Sequence, residues 1–249
     1  MTINKPPALP FFYQDFQRAA TILLTAVRRH DPYILLLGDS GSGKTTLLRH
    51  LQTTLDKQSF FVLYLCHGRP SPSALTRVLA DALHLPIHKT RAETSRLLLS
   101  TLKNLPTKLL LWIDEAQLIH DDTLHELRLL SEADLDGPPL FCVILSALPQ
   151  LKERLLAPDL FPLYRRICAR VRLQGLLHEE LAPFIDHVLG KHTSQRFSTE
   201  ALSVIFEQAR AIPAIVKSLA EFCLENHKNQ NTTIDKQTVI QLLESIEAT

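Results

Sequence analysis

The chain has 249 residues, of which 45% are hydrophobic and 21% charged, and a formal net charge of +1. That length is ample for a buried core and suits a medium α/β domain followed by a small helical one, while near-neutral charge neither demands nor excludes nucleic acid. No stretch approaches the roughly 18 apolar residues of a membrane span, and Met1 to Pro10 lacks the basic and then apolar pattern of an export signal, so a cytoplasmic protein with no membrane partner is expected.

In chain order, Met1 to Pro10 carries three prolines and reads as an arm. Phe11 to Arg29 has apolar residues at helical spacing, and Tyr33 to Leu37 is an apolar strand. Ser59 to Leu65, aromatic and β-branched, predicts a second strand buried on both faces. Ser71-Pro72 caps a helix reaching about Leu83, and another helix runs from about Thr90 to Lys103. Lys108 to Ile113 is a third strand, Asp121 to Ser131 a helix and Leu140 to Ser146 a fourth strand. Ala169 to Leu173 alternates apolar and basic residues as a fifth. Strands alternating with helices predict a parallel five-stranded sheet flanked by helices. Beyond Leu176 only helices are expected, over His178 to Leu189, Thr199 to Ala209, Pro213 to Glu225 and Asp235 to Ser245, with Ser198 and Asp235 as N-caps. The expected division is an arm and lead-in helix over 1–32, an α/β core over 33–175 and a small all-helical lid over 176–249. Cys66, Cys142, Cys168 and Cys223 are far apart, and Pro86 separates His84 from His88. Neither a disulfide framework nor a cysteine or histidine metal site is expected.

Between the first strand and the next helix lies Gly38-Asp39-Ser40-Gly41-Ser42-Gly43-Lys44-Thr45-Thr46. The spacing fits a P-loop, whose glycines let backbone N–H groups turn toward phosphate oxygens and whose helix N-terminus favours the anion. In that reading Gly38 to Thr46 bind ATP, Lys44 reaches the β- and γ-phosphates and Thr45 ligates Mg²⁺. A Gly/Ser turn that happens to precede a lysine is the bland alternative. Leu109 to Ile113 ends in Asp114-Glu115, an acidic pair closing an apolar strand. Asp114 is expected to hold Mg²⁺, directly or through water, and Glu115 to orient and polarise the attacking water, so hydrolysis is favoured over binding alone. Ser146 closes the fourth strand, either touching the γ-phosphate or simply ending the strand. The cluster Arg165, Arg166, Arg170 and Arg172 admits three readings: a solvated face, a DNA contact, or a finger offered to a neighbouring subunit's ATP.

These motifs, taken with Ala116-Gln117, Leu127-Arg128-Leu129-Leu130-Ser131 and Val143 to Leu151, resemble the AAA+ ATPases, and within them the group of ExeA-type secretion ATPases and the TniB and TnsC transposition ATPases. The resemblance spans Phe11 to about Leu243 and implies a P-loop NTPase fold with ATP and Mg²⁺ as cofactors. It makes Arg166 a better finger than Arg165, and implies a head-to-tail homo-oligomer, ring or filament. Where the group often has Gly-Ile-Pro-Arg, this chain has Ala211-Ile212-Pro213-Ala214, which removes a lid arginine. Lys217, one turn on, is either its substitute or a surface lysine, and slow or partner-stimulated turnover is expected.

ExeA-type proteins carry a membrane span and a peptidoglycan-binding region after the ATPase, and neither is expected here. The resemblance then implies a regulator of DNA transposition that assembles on duplex DNA and recruits or activates a transposase, with a target-selection protein as a further partner. Arg69, Arg77, Lys89, Arg91, Arg96 and Lys103, opposed only by Asp81 and Glu93, suit phosphate contacts without sequence reading, although a solvated helix face explains them too. The alternative is a secretion or pilus-assembly ATPase that works as a nucleotide-controlled scaffold without DNA.

Overall fold

The computed structural model describes residues 9–65, 70–133, 137–227 and 232–247. Cys66 and Arg69, named above, lie outside the described residues. The elements run α1 (Gln14–Arg28), β1 (Tyr33–Gly38), α2 (Lys44–Thr54), β2 (Phe60–Leu65), α3 (Pro72–Ala82), α4 (Arg91–Lys103), β3 (Lys108–Ile113), α5 (Asp121–Ser131), β4 (Phe141–Ala147), α6 (Gln150–Leu155), α7 (Phe161–Tyr164) and β5 (Ile167–Leu173), then α8 (Leu181–Leu189), α9 (Thr199–Ala209), α10 (Pro213–Asn226) and α11 (Lys236–Glu247). Two compact units result. One takes 19–38 and 47–172, and the other takes the described parts of 1–18, 39–46 and 173–249.

The first unit is built on a five-stranded parallel sheet in the order β2-β3-β4-β1-β5. β1 and β4 are buried along their whole length, as apolar runs in the middle of a parallel sheet must be. Tyr33, Leu35, Leu111, Phe141, Val143 and Leu145 form one face of the core, packed with Leu75, Leu98, Leu124 and Leu127 of the flanking helices. The phenol of Tyr33 is fully buried yet satisfied: it lies 2.5 Å from the Ser131 hydroxyl and donates to the Leu127 carbonyl at 3.2 Å. Burial pushes its pKa well up, so it stays a neutral donor.

β2 departs from expectation. It is only half-buried, with Tyr64 37% exposed, because it is an edge strand. β5, on the other edge, buries Ile167, Ala169, Val171 and Leu173 and exposes Cys168, Arg170 and Arg172, so its alternation marks one covered face. The short helices α6 and α7 had no reading in the sequence; neither has a side-chain N-cap to announce it.

Helices of the first unit start where their capping chemistry says they should. The Ser71 hydroxyl accepts from the Ala74 N–H, with Pro72 opening α3. Thr90 and Glu93 satisfy each other at the start of α4. In the other unit the Ser198 hydroxyl accepts from Ala201 N–H at 3.1 Å, and Asp235 accepts from Thr238 N–H at 2.8 Å, which lowers the Asp235 carboxyl pKa. Helices α8 to α11 there pack around Phe184, Ile185, Ile205, Val216, Ala220 and Val239. The expected helix from His178 is a 3-10 turn at His178–Glu180 before α8 begins. Among the described residues no helix is long and apolar enough to cross a membrane.

Candidate functional site

The glycine loop leaves the buried end of β1 and runs into α2. Gly41 (φ +80°) and Gly43 (φ +96°) take the left-handed conformation that side-chain-bearing residues rarely adopt. Ser42 N–H donates to the Asp39 carbonyl at 3.1 Å, which tightens the turn. Lys44 opens the helix, is buried, and folds its ammonium back onto the Asp39 carbonyl at 3.0 Å. The Ser42 hydroxyl is buried with no hydrogen-bond partner. A buried ammonium, an unpartnered hydroxyl and the N-terminus of an eleven-residue helix make an anion cradle, and the residues present therefore fit a nucleotide's phosphates.

Beside the loop, in the same unit, is a cavity of about 350 Å³ lined by Phe11, Tyr13, Phe184 and Pro213 together with Gly41 and Gly43. Phe11 meets the Phe184 ring edge-on at 5.6 Å, and His187 Nε2 lies 2.9 Å from the Leu9 carbonyl. Tyr13 is buried and donates its O–H to the Ser42 carbonyl at 2.9 Å. Its pKa is raised by burial and then by the Asp15 and Glu180 carboxylates, which keeps it a donor. An apolar slot with a few fixed polar groups suits a flat heteroaromatic base. Sequence reasoning missed these residues. Their signal was the aromatic triplet Phe11-Phe12-Tyr13 placed just ahead of a helix.

Lys217 also borders this cavity, with its ammonium 3.6 Å from Glu221. Ala214, where the resemblance expects an arginine, sits directly on the loop: its N–H donates to the Gly41 carbonyl at 3.3 Å. A Cβ added at Gly41 would come within 2.7 Å of the Ala214 Cβ and 3.3 Å of Ile212 Cγ2. Gly41→Val is therefore expected to weaken ATP binding about tenfold or more, from a strain of about 1–3 kcal/mol, with an unchanged far-ultraviolet circular dichroism spectrum. Titration with a fluorescent ATP analogue checks this.

The acidic end of β3 belongs to the first unit. Parallel registers pair Leu36 with Ser146 and Ile113 with Leu145, so Gly38, Asp114 and Ser146 emerge on the same edge of the sheet. That carboxyl edge is where open α/β sheets place ligands. Asp114 is held from three sides. Ser146 Oγ donates to its Oδ1 at 2.9 Å, Tyr64 O–H donates to its Oδ2 at 3.2 Å, and the Glu115 N–H donates to Oδ1 at 3.1 Å. Tyr64 is braced in turn against Trp112, 4.2 Å between ring centres. Such a fixed hard oxygen pair fits Mg²⁺, which takes one or two carboxylates and completes its shell with water and phosphate. Ser146 is completely buried and commits its hydroxyl to Asp114. Glu115 follows in the left-handed region (φ 52°) with its side chain exposed. Tyr64 was not read from sequence as part of this group; it comes from a strand fifty residues away.

The arginines divide. Arg166 forms an ion pair with Glu132 and donates to the Pro162 carbonyl at 2.9 Å. Arg170 lies over the Tyr164 ring at 4.2 Å. Arg165 is exposed and its side chain has no partner among the described residues. The structure thus brings Asp114, Glu115 and Ser146 together on one edge and anchors Arg166 to α5's end.

The AAA domain family pattern matches residues 27–155, over half of the chain. General secretion pathway protein A of Aeromonas hydrophila is 27% identical over 201 residues. The match takes in 77% of this chain and 36% of that relative, so the chain spans about a third of its length. Among solved structures, the ORC2 protein of Aeropyrum pernix superposes with a TM-score of 0.65 at 16% identity, covering 98% of this chain and 70% of that one. The ORC1 protein of the same organism, solved in complex with DNA, gives 0.62 at 15% identity over 97% of this chain and 68% of that one. At these identities the structural likeness is one of fold, and it agrees with the sheet and loop described above. The chain belongs to the AAA domain family.

Proposed function

We propose that this chain is a Mg²⁺-dependent ATPase whose nucleotide state controls assembly. Lys44 and the N–H groups of 38–46 bind the phosphates, Thr45 and Asp114 hold Mg²⁺, and Glu115 orients and deprotonates the attacking water. Bound Mg²⁺ supplies neutralisation of the charge that grows on the phosphates. The observation that carries the proposal is the three-sided fixation of Asp114 next to an exposed Glu115, at the sheet edge from which the glycine loop departs. In the division proposed, 33–175 is the ATPase core, 176–249 the lid and 1–32 an arm, and Ser146 acts through Asp114. Arg165 or Arg166 serves a neighbouring subunit in a head-to-tail oligomer. Arg165 is the readier of the two, because Arg166 must first leave Glu132.

Two loads for this switch have separate support. Regulation of DNA transposition, with duplex DNA and a transposase as partners, draws on the exposed cations Arg77, Lys89 and Arg96 of the α3–α4 region. Arg91 contributes less there, since it pairs with Glu126. A scaffold in secretion or pilus assembly, without DNA, draws on the kinship with General secretion pathway protein A. Duplex-DNA binding measured across salt, with and without ATP, separates them. The transposition reading expects ATP-dependent binding whose salt slope falls by about one for each of Arg77→Ala, Lys89→Ala and Arg96→Ala. ATP-independent or undetectable DNA binding overturns it in favour of the scaffold.

A further inference from the structure

Gln117 follows the acidic pair by two residues and is held at three points. Its side-chain Nε2 donates to Glu115 Oε2 at 2.5 Å. Its Oε1 accepts the Leu148 N–H at 3.1 Å, and its backbone carbonyl accepts Arg154 Nη1 at 2.7 Å. Arg154 also donates to the Ile119 carbonyl and pairs with Asp121 at 2.5 Å, so one guanidinium holds the whole turn from 117 to 121. Leu148 and Arg154 belong to the same segment, the end of β4 and the helix α6 behind it. The carbonyl side of the Gln117 amide is therefore fixed to that segment, which leaves its N–H side aimed at Glu115.

Glu115 needs such an aim. Its backbone is pinned by the left-handed turn and by its N–H on Asp114, but its side chain is exposed and rotates on three torsions. An exposed carboxylate that samples many rotamers spends little time in the one geometry a proton transfer requires. The Gln117 donor occupies Oε2, and Oε1 has no partner among the described residues.

We propose that Gln117 is a positioning residue: it orients the Glu115 carboxylate for hydrolysis and couples that orientation to the segment from Leu148 to Arg154. The proposal rests on Glu115 being the group that activates water. An amide is suited to both jobs at once, since it accepts from Leu148 and donates to Glu115, whereas a carboxylate accepts only. Displacement of 148–154 would carry the amide with it and turn the glutamate away, so events at that segment reach the carboxylate through one side chain.

The test compares Gln117→Ala with Gln117→Glu in the full chain, alongside Glu115→Gln. Gln117→Glu keeps the size and the acceptor for the Leu148 N–H but replaces the donor to Glu115 by a like charge. A positioning role lowers kcat about tenfold or more in both Gln117 variants with ATP affinity unchanged, and Gln117→Ala added to Glu115→Gln lowers kcat no further. If Gln117→Glu turns over at the unaltered rate and only Gln117→Ala is slow, the residue is a structural tie to Leu148 and the proposal falls. It falls as well if both variants keep full kcat while Glu115→Gln is inactive, and in that case the reading of Glu115 stands. Full activity of Glu115→Gln overturns both. Thermal midpoints of the three variants show that any loss is not unfolding.

Discussion

Lys44→Ala is expected to weaken ATP binding by about tenfold to a hundredfold and with it to abolish measurable hydrolysis. The lysine is the first residue of α2, buried, and its ammonium already turns into the loop toward the Asp39 carbonyl. A charge-assisted hydrogen bond to phosphate is worth about 1.5–3 kcal/mol, and tenfold in affinity corresponds to about 1.4 kcal/mol. Two measurements follow from this. Calorimetric titration with ATP loses its signal at concentrations that saturate the unaltered protein, and the rise in thermal midpoint that ATP produces disappears. An unchanged affinity would take the phosphates away from this loop.

The fold was legible where the signals are local. β3 at Lys108–Ile113, α5 at Asp121–Ser131 and α9 at Thr199–Ala209 begin and end where reading the sequence put them. Each is a contiguous apolar or amphipathic run bounded by a cap or a change of chemistry. For α9 the Ser198 hydroxyl supplies the start, and the left-handed Arg210 supplies the stop. Where burial depends on neighbours rather than on the run itself, reading the sequence failed. β2 is as apolar as a central strand, yet it is only half-buried because it lies at the end of the sheet order, and order is set by pairings between distant residues. The helices α6 and α7 span six and four residues, too short for a periodic pattern to declare itself.

The candidate site divides the same way. Gly38 to Thr46 and Asp114-Glu115 are short contiguous strings, so their elements could be placed without knowing the fold. Tyr64 meets Asp114 from fifty residues away and Leu148 meets Gln117 from thirty-one, and nothing in the string marks either pairing. Gln117 was visible as a letter of the Asp-Glu-Ala-Gln motif, but its hydrogen bond to Leu148 exists only once β4 lies beside β3. Arg166 shows the converse. Resemblance singled it out, and the structure engages it with Glu132 at the end of α5, a partner that spacing does not predict.

Glu115→Gln is expected to lower the rate of phosphate release by about 10² to 10⁴, the span typical of a lost general base, while ATP affinity stays within about threefold. The amide has the size and shape of the carboxylate and still accepts from Gln117 Nε2, so the turn at 114–117 and the contacts of Asp114 persist. What is lost is the capacity to take a proton from water, which matters in the transition state and not in the bound ground state. The protein with this substitution should then accumulate in its ATP-bound form and hold whatever assembly ATP favours. The deciding measurement is phosphate release at saturating ATP with Mg²⁺, for the unaltered protein and for Glu115→Gln in parallel. The account predicts turnover by the first and retention of intact, bound ATP by the second. Equal rates of phosphate release from the two would contradict it.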